Sequence, residues 1–320
     1  MVEVRSEAPW VAARSPGVNR LAVGEIYPIV VPLWLGAERP GVELGGAALA
    51  ASLGAWPGER VRPVVTVPAP EPSDAEARLH AQTLHFLPQI AATCALLADE
   101  VAAAISAGGL ALSLGGDHAL AAGSIPGAAR GVARLGVLYF DTHPDLNTPA
   151  TSPSGHIHGM PLAAAMGVDD PALTALRGDG PTVAAEDICL LGVRDIDLGE
   201  AALIAERDIW SLSLPKWRAG GIAGGLAAAL DHLTVRGVDA VHISFDLDVL
   251  DPEVLPGTGV PCPGGLTLAE AMDVMRALHS WEGPIRSFDL VELNPLLDLS
   301  GGSTDIAVAL LGAALGRDPA

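Results

Sequence analysis

Residues 135–149 read LGVLYFDTHPDLNTP, an apolar run of strand length that ends in two carboxylates and an imidazole at alternate positions: Asp141, His143 and Asp145. A short run of this kind reads as a buried strand. Ionised groups crowded at the end of a buried strand are costly unless opposite charge sits among them. The pattern recurs three times: 110–114 is followed by GGDH (115–118), 239–245 by DLDVLDP (246–252), and 284–290 by VELNP (291–295).

Between these runs lie Ala-rich stretches of helical character, the alternation of βαβ units and a parallel sheet. The pattern predicts strands at 28–33, 110–114, 135–140, 187–193, 207–212, 239–245 and 284–290. Helices are predicted at 44–53, 74–87, 88–107, 160–167, 197–206, 219–235, 267–280 and 303–315, with Pro88 suited to a first helical position and TLAE at 267–270 forming a capping box. The Pro-rich stretch 63–73 reads as a surface loop, and with neither a repeat nor a long linker the chain is expected to be one domain, residues 1–20 forming a flexible N-terminal segment.

In an open parallel sheet, ligands bind beyond the carboxyl ends of the strands, so all four ionisable clusters are expected to meet in one cleft. An extended backbone sends residues i and i+2 to the same side. Asp141, His143 and Asp145 then form one row of ligands, Asp246 and Asp248 another, and His118 adds a nitrogen from a third strand. Six donors suit a pair of ions about 3.5–4 Å apart better than a single ion. Four carboxylates and two imidazoles without a thiolate favour a fairly hard metal such as Mn²⁺ over a structural zinc. Taken singly, an Asp after a strand is a helix cap or a turn former. Taken together, six buried polar groups without compensation do not stand.

The formal charge of −20 repels phosphate backbones and anionic bilayers, so neither nucleic acid nor membrane is an expected partner. The longest uncharged apolar stretches, 219–230 and 306–316, are too short to span a bilayer, and MVEVRSEAPW lacks the apolar core of a signal peptide, which gives a cytoplasmic expectation. Cys94, Cys189 and Cys262 are widely spaced and odd in number, against both a disulfide framework and a thiolate metal site.

GGDH, DTHPDLNTP, SGHIHGMPL, GVRDIDLGE, SFDLDVLDPEVLPGTG and VELNP together resemble the ureohydrolase superfamily, which includes the arginases and agmatinases, in the family's order from about residue 110 to 300. The resemblance implies a three-layer α/β/α sandwich around a mostly parallel eight-stranded sheet, assembled as homotrimers or homohexamers. It also implies two Mn²⁺ ions per chain, one on His118, Asp141, Asp145 and Asp246, the other on His143, Asp141, Asp246 and Asp248. A water acidified by both ions would attack a guanidinium carbon. In the family's manner Asp145 would carry the proton to the leaving nitrogen, Glu292 would pair with the guanidinium, and His158 would exchange protons with solvent.

For the substrate, the resemblance places Asn147 and Ser154 at an amino-acid carboxylate, Asp197 near an α-amino group, with Glu200 assisting it, and Thr258 in a contacting loop. These residues favour L-arginine, converted to L-ornithine and urea, over agmatine. The chain departs from the arginases at His156, where they carry Asn, and at Ala119, where they carry Ser. The first departure keeps other amidinohydrolases open, acting on agmatine, guanidinobutyrate or N-hydroxyarginine, as well as a catalytically silent homologue. Among the remaining residues, Asp117 is expected to orient His118, Cys262 to pack near the 256–259 loop, His242 to be a satisfied core histidine, and His80, His85, His232 and His279 to be solvated or packed on helices.

Overall fold

The computed structural model describes residues 18–54, 60–71, 84–168, 170–176 and 182–317. Eight strands form one sheet: β1 (Ile26–Val31), β2 (Val65–Thr66), β3 (Leu110–Gly115), β4 (Leu135–Phe140), β5 (Ile188–Leu191), β6 (Trp210–Leu212), β7 (Ala240–Asp246) and β8 (Ile285–Val291). Their order is β2-β1-β3-β8-β7-β4-β5-β6, and every pairing is parallel, where the resemblance implied a mostly parallel sheet. Every residue of β3, β4 and β7 is buried, as expected of parallel strands covered on both faces.

Two apolar layers enclose the sheet. One face carries the helices Gly45–Leu53, Leu214–Gly220, Ile222–Arg236, Leu268–Ser280 and Gly302–Ala314. The other carries Leu87–Ser106, Ala121–Ala129 and Pro161–Ala165. The result is a three-layer α/β/α sandwich.

The differences from expectation are local. Val65–Thr66 adds an exposed two-residue edge strand within the stretch read as a loop; it is too short to show periodicity. Ala121–Ala129 is helical although AAGSIPGAA holds two glycines and Pro126, because all nine residues are buried and no amphipathic stripe marks it. Gly123 and Gly127 let it lie against Leu87–Ser106, where an added Cβ would meet Cys94 O at 2.4 Å and Ala98 O at 2.7 Å. That 20-residue helix is long and apolar enough to cross a bilayer by length and composition alone, contrary to the short stretches noted above. It carries Asp99 and Glu100, and its buried face packs into this layer.

The short helix Leu214–Gly220 was also unforeseen. Residues 74–83 of the predicted helix 74–87 lie outside the described residues, and 84–86 form a turn ahead of Leu87. At the other end, Asn19 is buried and its side-chain amide donates to Leu278 O and Trp281 O, at 2.9 and 2.6 Å, while 1–17 lie outside the described residues.

Candidate functional site

The four strands that end in ionisable clusters are consecutive in the sheet, β3-β8-β7-β4. Their carboxyl ends therefore bring residues 118, 141–145, 246–248 and 292 together. The His118 Nδ1 atom lies 3.0 Å from Asp141 Oδ2, 3.1 Å from Asp246 Oδ2 and 3.2 Å from Asp145 Oδ2. One ring nitrogen carries at most one hydrogen and cannot serve three carboxylates. An octahedral ion with bonds of about 2.1 Å holds neighbouring ligand atoms about 3.0 Å apart, which is the spacing found.

A second group forms beside the first. His143 Nδ1 lies 3.2 Å from Asp248 Oδ2 and 3.4 Å from Asp141 Oδ1. Asp141 thus contributes one oxygen to each group. The Asp141 Oδ2 and Glu292 Oε2 atoms are buried with no hydrogen-bond partner among the described residues. The donors, their spacing and these orphaned oxygens fit a pair of divalent cations. Asp246 differs from the expected sharing: its Oδ2 faces the first group, while its Oδ1 accepts the Asp248 amide at 2.7 Å.

Two residues that the sequence reading passed over steady this cluster. Tyr139 donates its hydroxyl to Asp145 Oδ2 at 2.7 Å and stacks on the His118 ring, with centroids 4.6 Å apart. Ser244 Oγ lies 2.8 Å from His118 Nε2. Each stands two residues before an Asp of its strand, so the spacing rule that aligned the ligands would have found both. Asp117, in turn, does not orient the His118 ring. Its carboxylate accepts the amides of Gly36, Ala37 and Ala119, at 2.7, 3.1 and 3.1 Å, and so ties the loop after β1 to the centre.

Asp145 and Glu292 both have left-handed backbone, φ 51° and 66°. Non-glycine residues there cost on the order of 1 kcal/mol and persist only where the surroundings fix them. Leu162 N donates to Asp145 O at 3.2 Å, and Glu292 N to Gly116 O at 3.0 Å.

Crowding shifts the titrations. Burial, then the charge of Asp141, push Asp145 up to about 8. Burial and Asp248 raise Asp246 well above the usual carboxylate range. His118 and His143 are raised by the surrounding acids although burial opposes it. Asp141, also against burial, is held low by His118 and His143. The raised groups bind protons more tightly folded than unfolded, so chelator-stripped protein is expected to lose stability from about pH 4 to about pH 8 through Asp145. The histidines extend the loss above about pH 6.5, their unfolded value. Cations compete with those protons, so the Tm gained on adding Mn²⁺ should grow with pH. Melting curves at about pH 6 and pH 8.5, with and without metal, test this; a stripped protein whose Tm is flat or rises between them contradicts it.

A cleft of about 210 Å³ opens above the cluster, lined by His143 and Asp145 of the donor groups and by Asn147, Ser154, His156, His158, Asp197 and Glu200 in its walls. Asn147 Nδ2 donates to Asp197 Oδ2 at 2.8 Å. Ser154 is exposed, and its hydroxyl accepts the His156 amide at 3.2 Å. Glu200 is buried, and its two oxygens accept the amides of Leu146 and Asp197 at 3.0 and 2.9 Å, so it braces the walls rather than reaching across the cleft. Thr258 is buried and absent from the wall; Val260, two residues on, lines it instead. His158 Nδ1 stands 3.5 Å from Glu292 Oε1, and that same oxygen accepts the His118 amide at 2.9 Å.

Of the other residues weighed, His242 is only half satisfied, its Nδ1 lying 2.8 Å from Ser287 Oγ while its buried Nε2, 3.1 Å from Asp289 Oδ2, makes no hydrogen bond among the described residues; Cys94, Cys189 and Cys262 are free thiols. His85 lies in a turn rather than on a helix and pairs with Glu38, while His80 lies outside the described residues.

The sequence profile of the Arginase family matches residues 27–316. The chain is 38% identical over 292 residues to the arginase of Bacillus caldovelox, covering 90% of this chain and 97% of the relative. The fold is similar to the crystal structure of arginase from Bacillus subtilis, with a TM-score of 0.85 and 34% identity over 92% of this chain and 99% of the other. It is also similar to Entamoeba histolytica arginase in complex with L-ornithine, with a TM-score of 0.83 and 29% identity over 91% and 97% of the two chains. With the profile spanning nearly the whole chain and a relative 38% identical over 97% of its own length, the chain belongs to the arginase family.

Proposed function

We propose that this protein is a manganese-dependent arginase that hydrolyses L-arginine to L-ornithine and urea. The observation that carries the reading is the pair of donor groups sharing Asp141 beneath a cleft whose walls suit an amino acid. The relatives named arginase, and the ornithine held by one of them, support the substrate. His118, Asp141, Asp145 and Asp246 would hold one ion, and His143, Asp141 and Asp248 the other. The carboxylate-rich donor set suits Mn²⁺. Two such cations supply the acidity that makes a hydroxide nucleophile available near neutral pH.

The chain's own side chains do the rest. Glu292, with one buried oxygen unpaired, receives the guanidinium and turns its carbon toward the centre. Asp145, whose Oδ2 lies in the first donor group, takes a proton from the nucleophile and passes it to the leaving nitrogen. Tyr139 engages Asp145 Oδ2 and leaves Oδ1 for that proton. His158, at the cleft wall beside Glu292, exchanges protons with solvent. At the far end of the substrate, Asn147 and Ser154 meet the carboxylate and Asp197 the α-amino group.

Asp197→Asn keeps an acceptor for Asn147 and removes only the charge. It should raise KM for L-arginine roughly 10-fold while leaving 4-guanidinobutyrate, which has a carboxylate but no amino group, within about 2-fold. Equal losses on both substrates would remove Asp197 from its role. The reading as a whole is tested by urea release from arginine, agmatine, guanidinobutyrate and N-hydroxyarginine after manganese loading. Equal or greater turnover of a compound other than arginine reverses the assignment, and His156 in the cleft wall is the observation that would favour that outcome.

The family resemblance supports assembly as a homotrimer or homohexamer, and the exposed Leu296, Leu297 and Leu299 supply apolar surface for it. Three free thiols agree with a cytoplasmic location.

A further inference from the structure

Glu38, His85 and His156, the last of which lines the cleft, come together, each offering one ligand atom, all within 4.8 Å of one another. The geometry points to a third cation site per chain, formed by these three residues and selective for a borderline divalent ion such as Zn²⁺. It goes beyond the arginase reading and does not depend on the substrate.

The residues come from separate segments. Glu38 lies on the loop after β1, His85 in the turn before the helix Leu87–Ser106, and His156 in the wall that contains Ser154 and His158. Glu38 Oε1 contacts His85 Nδ1 and lies 3.6 Å from His156 Nε2. A tetrahedral ion with bonds of about 2.0–2.1 Å spaces its ligands about 3.3 Å apart, so small side-chain movements suffice to seat one. The two rings stand edge to face with centroids 5.3 Å apart. The backbone carries the arrangement: Glu38 is left-handed at φ 51°, and the His85 amide donates to Gly155 O at 3.2 Å, joining the turn to the segment that presents His156.

Donor chemistry separates this site from the deeper centre. Two imidazoles and one carboxylate prefer zinc-like ions, whereas four carboxylates with two imidazoles suit a harder one. Burial and the neighbouring His158 lower the affinity of the His156 ring for a proton, which keeps it in the neutral form that binds metal. All three side chains are partly exposed, 26%, 14% and 30%, so an ion can reach them from solvent. Three protein ligands leave a fourth position open.

The test is total metal per chain. Manganese-loaded protein is dialysed against low-micromolar Zn²⁺ with Mn²⁺ in excess and counted by mass spectrometry, so that exchange at the deeper centre leaves the total unchanged. Wild type should hold three ions, while His85→Ala and the shape-preserving Glu38→Gln should hold two, with zinc affinity at this site lowered at least about 100-fold. Zinc-edge absorption of the wild type should report a zinc bound by two imidazoles and a carboxylate. A wild-type protein that stops at two ions overturns the inference without reference to any variant. So do variants that still hold three.

Discussion

Asp141→Asn is expected to leave the protein folded, unable to retain either ion, and slower in urea release by at least about 10³-fold. Asp141 is the one side chain with an oxygen in each donor group, Oδ2 beside His118 and Oδ1 beside His143. Asn has the same shape, but one oxygen becomes an NH₂ that points hydrogens where a cation would stand, and a negative charge is lost from the set. The amide of Asp141, which donates to Leu191 O at 3.1 Å, is untouched, so the strand end keeps its register. Metal content, urea release and a melting curve on chelated protein separate the effects. Two retained ions with more than about a tenth of wild-type activity would refute the shared-ligand assignment.

Glu292→Gln is expected to do the opposite, keeping both ions while kcat/KM for arginine falls about 10²–10³-fold. Glu292 is 3% exposed, with Oε1 accepting the His118 amide and Oε2 buried without a hydrogen-bond partner among the described residues. A buried, unpaired carboxylate oxygen is stable only if a cationic partner arrives, and a guanidinium presents a matching fork of donors. Gln preserves the oxygen that holds His118 in place, so the metal ligands stay where they are. Losing one partner of a buried charge pair costs about 2–5 kcal/mol, which sets the size of the effect. Wild-type kcat/KM, or loss of the ions, would show that Glu292 only supports His118.

Much of this was legible in the sequence because buried parallel strands announce themselves as unbroken apolar runs, and because several carboxylates gathered at their ends, unlike a single capping Asp, require cations among them. Spacing by two predicted one row of Asp141, His143 and Asp145 and another of Asp246 and Asp248; the structure divides both rows between the two donor groups, because β4 ends at Phe140, Asp145 is left-handed and residues 247–249 turn into a short helix. The same spacing held the key to Tyr139 and Ser244, which looked like ordinary strand residues. What stayed hidden depends on contacts between remote segments. Asp117 turns toward the loop after β1, Glu200 spends both oxygens on backbone amides, and Asp246 keeps one oxygen for its own turn. The helix Ala121–Ala129 is buried on all sides and so lacks the polar stripe that would identify it.

The adjacency of β3, β8, β7 and β4 also bears on how the chain matures. Their donors are separated by well over a hundred residues between His118 and Asp246, so no local fragment can gather them, and β7 and β8, which lie between β3 and β4 in the sheet, follow both in the sequence. Ion capture must follow sheet assembly rather than template it, unlike a zinc finger built from neighbouring residues. Loading with metal then acts as a final inspection, since only a chain whose late strands have slotted between the early ones can pass it.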